Sequence, residues 1–216
     1  MQSANDPDVD YKALVQRGYD VCAAAYEEAR QGEANPELDW LIARLTDGAR
    51  VLDIGCGAGI PIARTLARRF HVTGIDISGE QIRRAQMNVP EGTFIQGDIM
   101  SVIFPPAGFD AAVAFYTLFH LPREEQPELL KRIYTWLKPG GYLLATVTSF
   151  AEAPYTEDDF FGVTMYWSNY GLDDYKAILT EIGFKLLETT AIGHGYTTGK
   201  RARSEHHPLI FAQVVG

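Results

Sequence analysis

Val51-Leu52-Asp53-Ile54-Gly55-Cys56-Gly57-Ala58-Gly59 reads as an apolar strand that runs into an acid and then into three glycines at alternate positions. A short run of Val, Leu and Ile suits a strand buried on both faces of a parallel sheet. Glycines directly after such a strand let the backbone turn sharply and approach a ligand closely. The helical pattern that follows aims the positive end of its dipole at that ligand. A plain strand-to-helix turn with no ligand is the alternative, and it leaves the entropy cost of three alternating glycines unexplained.

Working outward, residues 11–30 carry a helical stripe of Val15, Tyr19, Cys22 and Tyr26. Asn35-Pro36 opens a second helix with Leu38, Leu41, Ile42 and Leu45 on one face. Beyond the glycines, residues 60–69 read as a helix and 72–76 as a second strand, which again ends in an acid. Ser78 and Gln81 form a capping box for a helix that runs to about Asn88. Residues 93–96 and 110–116 read as strands, and Gly97-Asp98 follows the first of them. A helix burying Leu129, Leu130, Ile133 and Trp136 leads through Pro139-Gly140-Gly141 to a fifth strand at 142–147. Residues 149–170 read as irregular and aromatic-rich. A helix at 172–182 and two strands, 184–192 and 209–215, complete the pattern. Alternating strands and helices imply an α/β fold with a doubly wound, mostly parallel sheet. The last two strands have no helix between them, which favours an antiparallel pair.

A chain of 216 residues, 46% hydrophobic and 22% charged, suits one globular domain. The expected organisation is a flexible tail at 1–10 and a single domain at 11–216, with N-terminal helices over 11–46 and a lid-like insertion over 149–170. A formal net charge of -9 lacks the basic footprint of a dedicated nucleic-acid binder. Cys22 and Cys56 sit in a helix pattern and a glycine turn, so no disulfide framework is expected. With no signal-peptide core and no membrane-spanning stretch, the expectation is a cytoplasmic protein, a monomer or homodimer, with no membrane partner.

In open α/β sheets, ligands bind beyond the carboxyl ends of the parallel strands. Asp53, Asp76 and Asp98 all lie at such ends. Asp76, about twenty residues past the glycines, suits a ribose diol. Asp98 suits an exocyclic amine such as that of adenine, with Ile77 and Ile99 placed to sandwich a flat base. Asp53, beside the glycines, suits a cationic group. Each acid alone is equally a helix cap or turn former; together they point to a nucleoside. The Gly-x-Gly-x-Gly spacing differs from the dinucleotide fingerprint, and no P-loop pattern follows.

The ordered set formed by residues 51–59, Gly74-Ile75-Asp76, Gly97-Asp98, residues 109–116 and Leu137-Lys138-Pro139-Gly140-Gly141 resembles the class I S-adenosylmethionine-dependent methyltransferases of small-molecule type. The resemblance implies a seven-stranded sheet whose last strand is antiparallel. It implies that Gly55, Gly57 and Gly59 lie against the methionyl part of S-adenosylmethionine, with Asp53 and Cys56 nearby. It places Asp76 at the ribose, Asp98 with Ile99 at adenine, and Ile77, Gln81, Phe115 and Tyr116 in the same cofactor set. Tyr19 and Tyr26 belong to a leading helix that covers the cofactor, and S-adenosylhomocysteine is the implied product. Phe115-Tyr116-Thr117 differs from the Asp/Asn-Pro-Pro-Tyr segment of nucleic-acid amine methyltransferases. It also lacks the carboxylates of metal-dependent catechol-type members, so no catalytic metal is expected.

The acceptor is expected to be a small organic molecule methylated on oxygen or nitrogen by in-line displacement. His120, four residues after Tyr116, is the candidate general base; the alternative is a loop histidine bonded to a backbone carbonyl. The expected acceptor pocket comprises His120, Tyr166 and Trp167, with His194, Tyr196 and Arg201 from the loop at 193–208. Lys200, Arg201 and Arg203 in that loop would favour an anionic acceptor. The bland alternatives are aromatics that merely cover the sheet and a solvated hairpin loop. Two competing functions remain: an NAD(P)-dependent oxidoreductase and a non-catalytic S-adenosylmethionine-binding protein.

Overall fold

The structure is a computed structural model and describes residues 10–30, 35–195 and 204–215; side chains at 193–195 and 204–206 are not described. The first two helices are α1 (Tyr11–Arg30) and α2 (Glu37–Ile42). Then come β1 (Arg50–Ile54), α3 (Ile62–Leu66), β2 (His71–Asp76), α4 (Gly79–Asn88) and β3 (Thr93–Gln96). β4 (Phe109–Ala114), a 3-10 turn at Leu118–His120, α5 (Gln126–Trp136) and β5 (Leu137–Thr146) follow. The remainder is β6 (Glu152–Phe160), β7 (Val163–Asn169), α6 (Leu172–Ile182), β8 (Phe184–Gly195) and β9 (Ser204–Val214).

Seven strands form one sheet in the order β3-β2-β1-β4-β5-β9-β8. The first five pair in parallel, and β9 runs antiparallel to both of its neighbours. This is the architecture expected from the strand pattern, including the antiparallel last strand. The order reverses at β1, where β2 lies on one side and β4 on the other. That makes the carboxyl end of β1 the switch point at which such sheets bind ligands.

Alternation along β1 sorts its residues between two cores. Leu52 and Ile54 pack with Leu129, Ile133 and Trp136 of α5 and Tyr175 of α6. Val51 packs with Leu38 and Leu41 of α2 and Ile62 and Leu66 of α3 on the opposite face. Asp53 has the parity of Val51 and lies fully buried at 2% exposure. Ser78 accepts from the backbone N–H of Gln81 at 3.1 Å, which starts α4 where the capping box placed it. α3 is shorter than the ten-residue helix expected at 60–69, because its regular part begins only after Pro61 and ends at Leu66.

The segment at 149–170 is a correction. It is an antiparallel hairpin of β6 and β7, separate from the main sheet. Phe161 and Gly162, with φ of 50° and 83°, make its turn. The acidic residues Glu152, Glu157, Asp158 and Asp159 dilute the apolar alternation of β6, so the strand was hidden in sequence. The hairpin packs on α1: Val15 and Cys22 of the helix form one cluster with Phe160, Met165 and Tyr166. Gly18 permits this contact, since a Cβ there would stand 2.8 Å from the Met165 methyl carbon. Cys22 and Cys56 are free and buried. Among the described residues, no helix is long and apolar enough to cross a membrane.

Candidate active site

Among the described residues, two cavities open at the carboxyl ends of β1, β2 and β3, under α1. The larger, of about 740 Å³, is bounded by Asp76, Ile77, Gln81, Asp98 and Ile99 on the sheet side. Lys12, Val15 and Tyr19 of α1 close it, with Tyr116, Thr117, His120 and Leu121 at its end. The smaller, of about 410 Å³, is lined by Glu27, Arg30, Asp53, Cys56 and Ala58. Tyr26, Gly55, Gly57 and Phe115 line both. The fold thus brings together every expected cofactor residue except Gly59, which borders neither cavity. Gly59 instead lets the loop approach α4, with Ala85 and Val89 within 3.3 Å of where its Cβ would be.

Gly55 has φ of 67°, and a Cβ there would fall 2.1 Å from the Thr117 hydroxyl oxygen. That hydroxyl donates to the Ile54 carbonyl at 2.8 Å, so the loops after β1 and β4 are joined. Asp76 joins the loops after β1 and β2. Its two oxygens accept from the backbone N–H groups of Gly57 and Ser78, each at 2.9 Å. Burial raises the Asp76 carboxyl to about 6 despite these bonds. Burial, with the neighbouring Asp76, raises Asp53 to about 7, while Arg30 opposes the shift. One Asp53 oxygen and both polar atoms of the Gln81 amide are buried with no partner among the described residues. Buried polar atoms are rarely left unmet. Gln81 is 1% exposed and borders the large cavity, so a polar ligand there would complete it.

Two cations escaped the sequence reading. Arg30 is 5% exposed, donates to the Tyr26 hydroxyl at 3.1 Å and lies 5.0 Å over the Tyr116 ring. Lys12 lies 2.6 Å from an Asp98 oxygen. Burial pushes the Asp98 carboxyl up, but the Lys12 bond and the Met100 N–H outweigh it, and the net shift is downward. The missed signal was in the helical stripe itself. Lys12 and Arg30 extend the spacing of Val15, Tyr19, Cys22 and Tyr26, so both were charges on a buried face.

Beyond β4, Tyr116 adopts a left-handed φ of 57°. Such strain costs of order 1–3 kcal/mol and clusters at functional sites. The His120 side chain is 7% exposed and borders the large cavity. Its Nδ1 lies 3.0 Å from the Tyr166 carbonyl oxygen and its Nε2 2.8 Å from the Tyr19 hydroxyl. Burial lowers its pKa to about 4, so the ring is neutral near pH 7. Tyr166 and Trp167, expected in the acceptor pocket, line neither of these two cavities. Tyr166 packs on Tyr11 with ring centroids 5.3 Å apart, and Trp167 on His120 at 4.5 Å. Their rings are used in seating α1 and the turn after β4. The His194 side chain, Tyr196 and Arg201 lie outside the described residues, as do Lys200 and Arg203. His207, at the start of the described part of that region, reaches the site edge-on to Tyr116 at 5.5 Å. Among the described residues, no group of three His, Cys, Asp or Glu side chains could hold a metal ion.

The methyltransferase domain family matches residues 51–141, which contain the glycine loop, all three acids and the whole of β4. Over 158 residues the chain is 34% identical to the O-methyltransferase rstn1 of Aspergillus nomiae, covering 67% of this chain and 68% of that protein. The chain belongs to the class I S-adenosylmethionine-dependent methyltransferases. This methyltransferase is also 40% identical over 100 residues to the uncharacterized methyltransferase Rv0089 of Mycobacterium tuberculosis. That match covers 45% of this chain and 49% of the relative, so it spans about half the relative's length. Its fold is shared with the 1,6-didemethyltoxoflavin N1-methyltransferase of Burkholderia thailandensis. There the TM-score is 0.72 at 20% identity, over 96% of this chain and 90% of that one.

Proposed function

We propose that this methyltransferase transfers a methyl group from S-adenosylmethionine to an oxygen of a small, largely apolar organic acceptor. The observation that carries the reading is the pair of adjoining cavities that share four lining residues. One has a nucleoside's polar requirements at Asp76, Gln81 and Asp98; the other has an amino acid's at Arg30 and Asp53. Asp76 and Gln81 would hold the ribose, and Asp98 the adenine amine between Ile77 and Ile99. Arg30 would hold the carboxylate and Asp53 the ammonium group. Tyr26, Gly55, Gly57 and Phe115, common to both cavities, would surround the sulfonium. When bound, the donor supplies a methyl group already activated by the positive charge on its sulfur.

The chain's own task is orientation and exclusion of water, which contribute ~7–11 kcal/mol when the pose is productive. Ring faces of Tyr26 and Tyr116 near a cationic centre add ~0.5–2 kcal/mol each. Methylation of oxygen is supported by the 34% identity to an O-methyltransferase. A small acceptor is supported by the aromatic walls and by the structural neighbour that carries bound 1,6-didemethyltoxoflavin. An anionic acceptor rests on Lys200, Arg201 and Arg203 of the sequence.

Calorimetry with S-adenosylmethionine, S-adenosylhomocysteine and NAD should give binding heats for the first two and none for NAD. Labelled donor offered with phenols, carboxylic acids and amines should label an oxygen. Label on nitrogen, or on no acceptor, would overturn the oxygen reading. Binding of NAD alone would overturn the donor assignment.

A further inference from the structure

We infer that Tyr19, and not His120, is the group presented to the acceptor's hydroxyl, with His120 behind it as the positioning residue that takes the proton. The inference rests on the oxygen-acceptor reading above.

The hydrogen-bond roles follow from what each atom can do. The Tyr166 carbonyl only accepts, so the His120 Nδ1, 3.0 Å away, carries the ring hydrogen. In the neutral ring Nε2 is then bare and only accepts. Its partner at 2.8 Å, the Tyr19 hydroxyl, must therefore donate. The one lone pair of the imidazole is committed to Tyr19, so an acceptor proton reaches His120 only by way of the phenol oxygen. The imidazole is held for this role from two sides. The Tyr19 ring stands at 89° to it at 5.3 Å, and Trp167 lies against it at 4.5 Å. Tyr19 borders the large cavity, whose lining also includes Tyr116 and Thr117, and its ring lies 5.4 Å from that of Tyr26, one of the four residues shared with the smaller cavity.

The transfer balances as follows. An oxygen lone pair of the acceptor forms the new O–C bond while the S–C bond breaks and its electrons stay on sulfur. The acceptor's proton passes to the Tyr19 oxygen as the Tyr19 proton passes to Nε2. The imidazolium then returns its proton through Tyr19 to solvent, releasing one proton per methyl transferred. The relay through Tyr19 serves an acceptor that still carries its proton at neutral pH and loses it readily, so the acceptor class is a phenol or enol in preference to an aliphatic alcohol.

The test compares Tyr19→Phe, His120→Gln and the double variant. Long-range proton–nitrogen NMR of the free enzyme should show His120 as the Nδ1–H tautomer, with the Nε2 resonance moving in Tyr19→Phe. Each single variant should lose ~100-fold in kcat, with donor affinity from calorimetry kept within about threefold if only proton handling is lost. The double variant should be no slower than either single one, as for groups that act as one unit. A Tyr19→Phe enzyme with wild-type kcat beside a slow His120→Gln enzyme, or an Nε2–H tautomer, would overturn the inference. Wild-type enzyme that methylates no hydroxyl would overturn the oxygen reading and the inference with it. Wild-type turnover left unchanged by Tyr19→Phe would overturn the inference alone.

Discussion

Asp53 combines full burial, an unmet oxygen and a carboxyl raised to about 7. An unfolded chain releases this proton near pH ~4. Between there and neutrality the folded protein holds a proton that the unfolded chain has lost, so Asp53 costs stability as pH rises through 7. Asp76, at about 6, has the same sign at lower pH. His120, held near 4, has the opposite sign and acts only below pH ~6.5. The window from pH 6.5 to 8 therefore reports mainly Asp53. Wild-type melting temperature should fall across it, whereas Asp53→Asn should stay nearly flat and be the more stable protein at pH 8. Scanning calorimetry of both proteins checks this, and parallel slopes would assign the titration to another group. The same residue explains what was legible at this scale. An acid at a strand end beside glycines is visible in sequence, because position alone gives it a role. Arg30 and Lys12 lie on the inward stripe that the sequence shows, but their partners, Tyr26 and Tyr116 for one and Asp98 for the other, are set only by how α1 seats on the sheet.

α1 forms the roof of the large cavity, and much of its attachment is polar. Lys12 reaches Asp98, Asp20 accepts from the Ser78 hydroxyl at 2.6 Å, and Glu27 accepts from Arg84 and Asn88 at 2.7 and 2.9 Å. Glu27 and Arg84 are partly buried, so their pair should exceed the ~0–1 kcal/mol of an exposed one. Glu27→Gln should speed hydrogen exchange of α1 amides by roughly tenfold, a loss of ~1.4 kcal/mol locally. Amides of β1, β4 and β5 should keep their wild-type rates. Uniform acceleration would mean that α1 opens only with the whole fold. The hairpin of β6 and β7 was the least legible element. Its turn signal, Gly162, was present, yet its purpose is to brace a helix more than a hundred residues earlier. Local pattern says nothing about a contact of that range.

For the whole molecule, ligand linkage gives a direct measure of how completely the donor site is formed. S-adenosylmethionine at 100 times its Kd should stabilise the fold by ~2.7 kcal/mol. For a chain of this size that is a rise in Tm of about 5–11 °C. A shift below 2 °C under saturation would mean that the unfolded chain or an open state binds as well. Much of the architecture was readable because a parallel sheet repeats one local rule. Each buried strand ends in a polar turn, and each helix hides one stripe. The far end of the large cavity follows no such rule, since His120 and Leu121 come from the turn after β4, and His120 is held there by a hairpin that only folding brings to it.

The place of β9 has a consequence for how the chain is made. The latest strand in sequence is not at an edge; it fills the gap between β5 and β8. During synthesis β5 therefore waits with Leu143, Leu144 and Ala145 on an unpaired border until residues 204–214 emerge. Such a border invites strand addition by other chains. Pairing of residues 204–214 with β5, more than the rate of helix formation, is what closes this border and removes the exposed edge during folding.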